Sequence, residues 1–226
     1  MSDSENSSGL ANSFTDLMTS LAVIFILLLC TFVNNAFEEG QSTRQTILDK
    51  LQKELQEFVM KGITIKSDPN DPLALLILVP EGLLEFEFDK ADIPEKGIDF
   101  LQTFVPKFAL VIYSKFKNDI GSVIVEGHTD STGSDQHNLK LSQDRSMTVV
   151  NQSLSILESE LYSAEHKDDI RDYFLRALSA SGRGEQDLMM VNEEEDHAQS
   201  RRVVFKIRVR SFEEKSVKKF LATIGN

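Results

Sequence analysis

Two stretches of the chain hold side chains whose types and spacing suit chemistry. In SVIVEGHTDSTGSDQHNLKLSQDRSMTVV, Ser122–Val125 reads as a strand, and Gly127 and Gly133 bracket a polar loop. Ser142 is placed to cap a helix running from Gln143 past Val150. That order brings Thr129, Asp130, Asn138 and Arg145 together where a loop meets a helix start. The opposite charges of Asp130 and Arg145 admit two readings, a structural salt bridge or two handles for a ligand, and the residues alone favour the salt bridge. His128 reads as a structural loop residue rather than a catalyst. The second stretch, FTDLMTSLAVIFILLLCTFV, places Asp16 beside Thr15, Thr19 and Ser20 at the start of an apolar run. One reading makes Asp16 a helix cap, favoured by the positive end of the helix dipole. The other places it within a membrane, where carboxylates are rare and mark ion or proton paths, and where burial raises a carboxyl pKa toward neutrality.

The elements around these residues follow from pattern. Phe14–Val33 is nearly unbroken in apolar residues and long enough, as a helix, to cross about 30 Å of hydrocarbon. The first sixteen residues contain no Lys or Arg, and CTFVNNAF is a poor cleavage site, so an uncleaved span is expected rather than a signal peptide. The tail has no Lys or Arg while Arg44 and Lys50 lie on the far side, a weak charge signal that taken alone favours the C-terminal side inside. RQTILDKLQKELQEFVMKG predicts a helix with Ile47, Leu51, Leu55 and Phe58 on one stripe and Gly62 as its stop. SDPNDP marks a boundary, LALLILVP a buried strand, and LLEFEFDKADI a strand with one wet face. GIDFLQTFVPKFALVIYSKF reads as a helix perturbed at Pro106.

Composition narrows the function. A formal net charge of −12 repels phosphate backbones, so no nucleic-acid partner is expected. The one basic cluster, RRVVFKIRVR, alternates with apolar residues and reads as a strand with a wet face. The single cysteine, Cys30, permits no intrachain disulfide. No nucleophile–base constellation, phosphate loop or metal-ligand spacing is present, so neither an enzyme, a cofactor nor a metal is expected. Glu193–His197, EEEDH, reads as a solvated acidic loop.

EGHTDSTGSDQHNLKLSQDR resembles the signature of OmpA-like peptidoglycan-binding domains, with Gly127, His128, Thr129, Asp130, Gly133, Asn138, Leu141, Ser142 and Arg145 in register. SGRGE at Ser181–Glu185 and SRRVVFKI at Ser200–Ile207 resemble the family's later glycine turn and last strand. Ser200 stands where the family usually has Asn, and LESELYSAEHKDDIRDYF is longer than the usual connection. The resemblance implies recognition of diaminopimelate in peptidoglycan stem peptides. Asp130 would take the ammonium and Arg145 the carboxylate, and Thr129 and Asn138 would add hydrogen bonds or hold the loop.

A span followed by such a domain resembles the B subunits of flagellar-type stators (MotB-like). FTDLMTSL matches their short motif at Phe14, Asp16, Leu17, Met18 and Thr19, with Thr15 in place of Ala. The acidic, Ser-rich start MSDSENSSGLANSF departs from the basic tails of flagellar subunits, and FTDLMTSLAVIFILLL is closer to the ZorB subunits of Zorya anti-phage systems. The resemblance implies Asp16 as ion carrier, Thr19 and Ser20 lining its path, a homodimer, and a MotA- or ZorA-like membrane ring. It also implies protons or Na+ as the driving ion and an inner-membrane location, with the N-terminus cytoplasmic and the C-terminal domain periplasmic. The expected fold class is α+β: tail 1–13, transmembrane helix 14–33, spacer 34–72 with an amphipathic helix, OmpA-like α/β sandwich domain 73–210, and C-terminal helix 211–226. A flagellar stator subunit and a passive membrane-tethered wall anchor are the alternatives.

Overall fold

The computed structural model describes residues 3–84, 86–160, 167–211 and 214–216. The chain divides into two compact units, Met1–Glu39 and Gly40–Asn226. Helix α1 runs Asp3–Glu54. Its portion in the first unit exposes the apolar side chains from Phe14 to Phe37, and the helix is long and apolar enough to cross a membrane. Because α1 starts at Asp3, Asp16 lies well inside it, so the helix-cap reading of Asp16 is corrected: the preceding polar residues are helical too. Thr19 turns its hydroxyl to the Thr15 carbonyl at 2.8 Å.

In the second unit the predicted stripe is buried. Ile47, Leu51, Leu55 and Phe58 are each at most 1% exposed. The helix tightens at Leu55, resumes as α2 (Gln56–Val59), and stops at Gly62, whose φ of +108° suits glycine. A five-stranded sheet follows, built from β1 (Thr64–Ser67), β2 (Ala74–Pro80), β3 (Ile120–His128), β4 (Leu178–Gly182) and β7 (Arg202–Val209). The order is β1-β2-β7-β3-β4. Only β3 and β4 pair in parallel; the other neighbours are antiparallel.

Register sets the core face. Ile77 pairs with Phe205, Phe205 with Val125, and Val123 with Ile207, so the period-2 alternation of each strand buries one continuous apolar surface. Helices α3 (Glu95–Val111), α4 (Asp135–Glu160) and α5 (Lys167–Ala177) supply the helical side of the core. Phe58, Phe104, Phe108, Phe174 and Phe205 join α2, α3, α5 and β7 through ring contacts of 5.2–6.1 Å. Pro106 does not break α3; the winding widens only later, into a π-helical segment at Ile112–Phe116. The basic cluster is β7 itself: Lys206 pairs with Asp68 at 2.7 Å and Arg208 with Asp71 at 3.5 Å, on the side away from Phe205 and Ile207.

Three further sequence expectations need correction. The described residues of LLEFEFDKADI form turns and irregular backbone rather than a strand, with Asp89 at φ +59°. Leu84 turns into the core while Phe88, in the same phase of the alternation, turns to solvent, and among the described residues no strand pairs with this segment. Ser142 does not cap a helix. The cap is Ser134, whose hydroxyl accepts from the His137 N–H at 3.4 Å, so α4 begins at Asp135 and Ser142 sits within it. EEEDH is split between a short hairpin, β5 (Met190–Val191) with β6 (Glu194–Glu195), and the four-residue helix α6 (His197–Ser200). Most of the expected C-terminal helix lies outside the described residues.

Candidate functional site

The site lies at the C-terminal end of β3, beside the first turns of α4. Helix and strands approach closely because Gly127 and Gly182, which pair in register, have no side chains. A Cβ on Gly127 would sit 2.2 Å from the Ser142 carbonyl oxygen, and one on Gly182 would sit 2.6 Å from the Gln143 nitrogen. The Gly182 N–H donates to Gln143 Oε1 at 2.6 Å, and the Gly184 N–H donates to Ser142 Oγ at 2.8 Å. Ser142 therefore ties α4 to the turn after β4, a job that its cap-like context concealed.

This seat brings together the four residues that the sequence singled out. Thr129, Asp130, Asn138 and Arg145 are all buried and line one cleft of about 530 Å³. Asn138 Nδ2 donates to the Asp130 carbonyl at 3.3 Å and to Glu185 Oε2 at 3.2 Å, fixing the loop to the helix. The Thr129 N–H donates to the Gly184 carbonyl at 2.9 Å, and its hydroxyl oxygen is buried without a hydrogen-bond partner. The Asp130 carboxylate accepts from the Thr132 N–H at 3.1 Å, closing a tight turn.

Asp130 and Arg145 do not form the salt bridge that the residues alone favoured. Asp130 pairs instead with Arg201 Nη1 at 2.6 Å, and Arg201 also grips Glu81 in a two-pronged pair at 2.7 and 2.9 Å. Partial burial pushes the Asp130 carboxyl up, but the Arg201 guanidinium and the Thr132 N–H outweigh it and hold the group below its ordinary value. Arg145 donates from Nε to the Lys90 carbonyl at 2.9 Å and from Nη2 to the Glu87 carbonyl at 3.3 Å. Its guanidinium lies 4.9 Å from the Phe86 ring centre. Burial lowers its pKa. Among the described residues no carboxylate is within ion-pair distance of Arg145.

Arg201, Glu81 and Glu185 escaped the sequence reading, although the Arg pair in SRRVVFKI was a signal for the first. The acidic segment also belongs to this region. Glu195 accepts from the Ser131 N–H at 3.1 Å and from its hydroxyl, and His197 Nδ1 lies 3.5 Å from Asp130 Oδ2. Ser200 is fully buried, and its hydroxyl accepts from the Met189 N–H at 3.0 Å. His128 ends β3, buried, with Nδ1 3.1 Å from the Gln186 carbonyl. Burial, helped by the Arg202 charge, pulls its pKa down to about 4. It is a neutral structural group.

The cleft thus presents two guanidinium groups, Arg145 and Arg201, and three carboxylates, Glu81, Asp89 and Asp130, within a partly apolar wall. It is equipped to hold a ligand carrying both charges. Among the described residues no group of His, Cys, Asp or Glu is arranged to hold a metal ion.

Comparison with known proteins agrees with this architecture. A search of curated protein sequences gave no match. Among solved structures, a putative MotB-like protein from Desulfovibrio vulgaris is 18% identical with a TM-score of 0.52, over 77% of this chain and 99% of that one. The periplasmic domain of Helicobacter pylori MotB is 16% identical with a TM-score of 0.48, over 74% of this chain and 91% of that one. The cell wall anchor of the type VI secretion system from Pseudomonas aeruginosa is 17% identical with a TM-score of 0.46, over 71% and 97%. At 18% identity the likeness to the first of these is one of fold. The sequence profile of the OmpA family matches residues 85–202, which holds every cleft-lining residue except Glu81. Domains of this type are structural and binding modules and not catalysts. The chain belongs to the OmpA family.

Proposed function

We propose that the chain is a membrane-tethered, peptidoglycan-binding subunit of stator type. The observation that carries this reading is the cleft in which Asp130 and Arg145 stand apart from each other, each held by other groups. A diaminopimelate end carries an ammonium beside a carboxylate. Asp130 takes the ammonium, and Arg145 offers the carboxylate a planar guanidinium that is always charged. Asn138 and Thr129 shape the loop between them. The apolar helix from Phe14 supplies the tether, with the N-terminus cytoplasmic and the OmpA-family unit periplasmic.

The test is capture of the full chain, in detergent, on isolated peptidoglycan sacculi. Asp130→Asn and Arg145→Met are expected to abolish capture while leaving the fold intact by circular dichroism. Absence of capture by the unmodified chain would refute the reading.

A second layer rests on Asp16. A carboxyl well inside an exposed apolar helix, with Thr19 and Ser20 close by, supports an ion-driven role. In that role two copies sit within a MotA- or ZorA-like ring. Protons or Na+ load Asp16 from the periplasm, and each unit charge crossing releases about 2.3 kcal/mol per 100 mV. The peptidoglycan grip then resists the reaction torque. The stretch FTDLMTSLAVIFILLL, with an acidic rather than basic tail before it, supports a Zorya-like defence motor, and a flagellar stator or a passive anchor are the competing assignments. Asp16→Asn separates motor from anchor: ion flux with the partner ring is lost while sacculus capture is kept. Unchanged behaviour of that variant in vivo would favour the passive anchor.

A further inference from the structure

The cleft has a feature that its charges do not explain. Phe88, at its rim, is 91% exposed, more than any other large apolar side chain among the described residues. An exposed phenylalanine is unfavourable in water by the same transfer energy that buries its neighbours. The backbone nevertheless holds it there. Asp89, next in the chain, has φ +59°, a region that non-glycine residues seldom occupy and that concentrates at functional sites. Its carboxylate lies 2.6 Å from His137 Nε2 on α4. On either side of Phe88 the Glu87 and Lys90 carbonyls accept from Arg145. The guanidinium assigned to the ligand carboxylate therefore also clamps the turn that presents Phe88, and it lies over the ring of Phe86.

We infer that Phe88 is a specificity-determining residue of this cleft: it covers the aliphatic chain of the diamino diacid whose zwitterionic end is held by Asp130 and Arg145. This rests on the peptidoglycan reading and deepens it. Charges alone select any α-amino acid end. A side chain of several methylenes leaving that end has an apolar surface to hide, and Phe88 is the exposed apolar surface on the same cleft wall. Each methylene removed from water strengthens binding by about fourfold when fully covered. Partial cover of the chain by one ring face amounts to about tenfold.

The experiment measures competition for capture of the full chain on sacculi, with meso-diaminopimelate and glycine as competitors. Both present the same zwitterion, and only the first carries an aliphatic chain. The unmodified chain is expected to favour diaminopimelate by about tenfold. Phe88→Ala reduces that ratio to within about twofold, and Phe88→Leu, which keeps an apolar group, retains an intermediate ratio. An unchanged ratio in Phe88→Ala overturns the inference and leaves the peptidoglycan reading standing. Failure of the unmodified chain to be captured at all overturns the peptidoglycan reading itself. A change in the sedimentation of Phe88→Ala with no change in the ratio would make the ring a contact between copies of the chain, and would also overturn the inference.

Discussion

Gly127→Ala should damage this protein more than any exposed substitution. A Cβ there would meet the Ser142 carbonyl oxygen at 2.2 Å, the carbonyl carbon at 3.1 Å and Cα at 3.3 Å, all backbone of α4. Ordinary contact needs roughly 1 Å more, so the helix must lift off β3 or the strand must bend. Neither is easy, because α4 is also fastened by Ser142 to Gly184 and by Gln143 to Gly182. Overpacking in a core costs about 1–3 kcal/mol, and a clash between backbones belongs at the upper end. For a folded unit the size of Gly40–Asn226, about 3 kcal/mol lowers the melting temperature by roughly 6–12 °C. The chain has no Trp, so melting is best followed by circular dichroism. Gly82→Ala is the control, since nothing lies within 4 Å of its added Cβ. Because Asn138 and Arg145 ride on α4, Gly127→Ala should also weaken sacculus capture at temperatures where it is still folded. Melting within 2 °C of Gly82→Ala, with capture intact, would refute the claim that the paired glycines set the helix position.

Leu51→Ala removes a fully buried side chain near the end of α1 and should cost about 2–5 kcal/mol, read as a lowered melting temperature. Its failure to destabilise would mean that this helix end does not belong to the core. Arg201→Met strips Asp130 and Glu81 of their shared partner, so it should lower stability by about 1–3 kcal/mol, discounted for partial exposure, and weaken sacculus capture. Retained capture would show that Arg201 does not position Asp130. His128 binds a proton near pH 6.5 when unfolded but only near pH 4 when folded, so acidification favours the unfolded chain across that window. Stability should fall by up to about 1.4 kcal/mol per pH unit between those values and level off below them. Urea titrations of the unmodified chain and of His128→Asn should differ in that slope, and equal slopes would assign the pH dependence to other groups.

Much of the site was readable before the fold was known, for a physical reason. Thr129, Asp130, Asn138 and Arg145 lie within one strand–loop–helix passage, and local geometry alone brings them together. Their partners come from far along the chain. Arg201 reaches Asp130 only because β7 inserts beside β3, and Glu81 arrives at the end of β2. Charge type cannot reveal such pairing, which is why Asp130–Arg145 looked like the obvious ion pair. The strand expected at LLEFEFDKADI failed for a related reason. Alternation signals a strand only where a neighbour supplies hydrogen bonds, and here the Arg145 clamp and the positive φ of Asp89 turn the backbone away instead. The helix stripe at Ile47, Leu51, Leu55 and Phe58 succeeded because burial of one helix face needs no knowledge of what covers it.

The central place of β7 in the sheet governs how the molecule can be assembled. Leaving the ribosome, the chain delivers β1–β2 and then β3–α4–β4, each with an open edge where β7 belongs. No pairing joins them until Arg202–Val209 arrives. Completion of the sheet therefore waits for the end of the chain, and chains ending before Arg202 expose two open strand edges that invite aggregation.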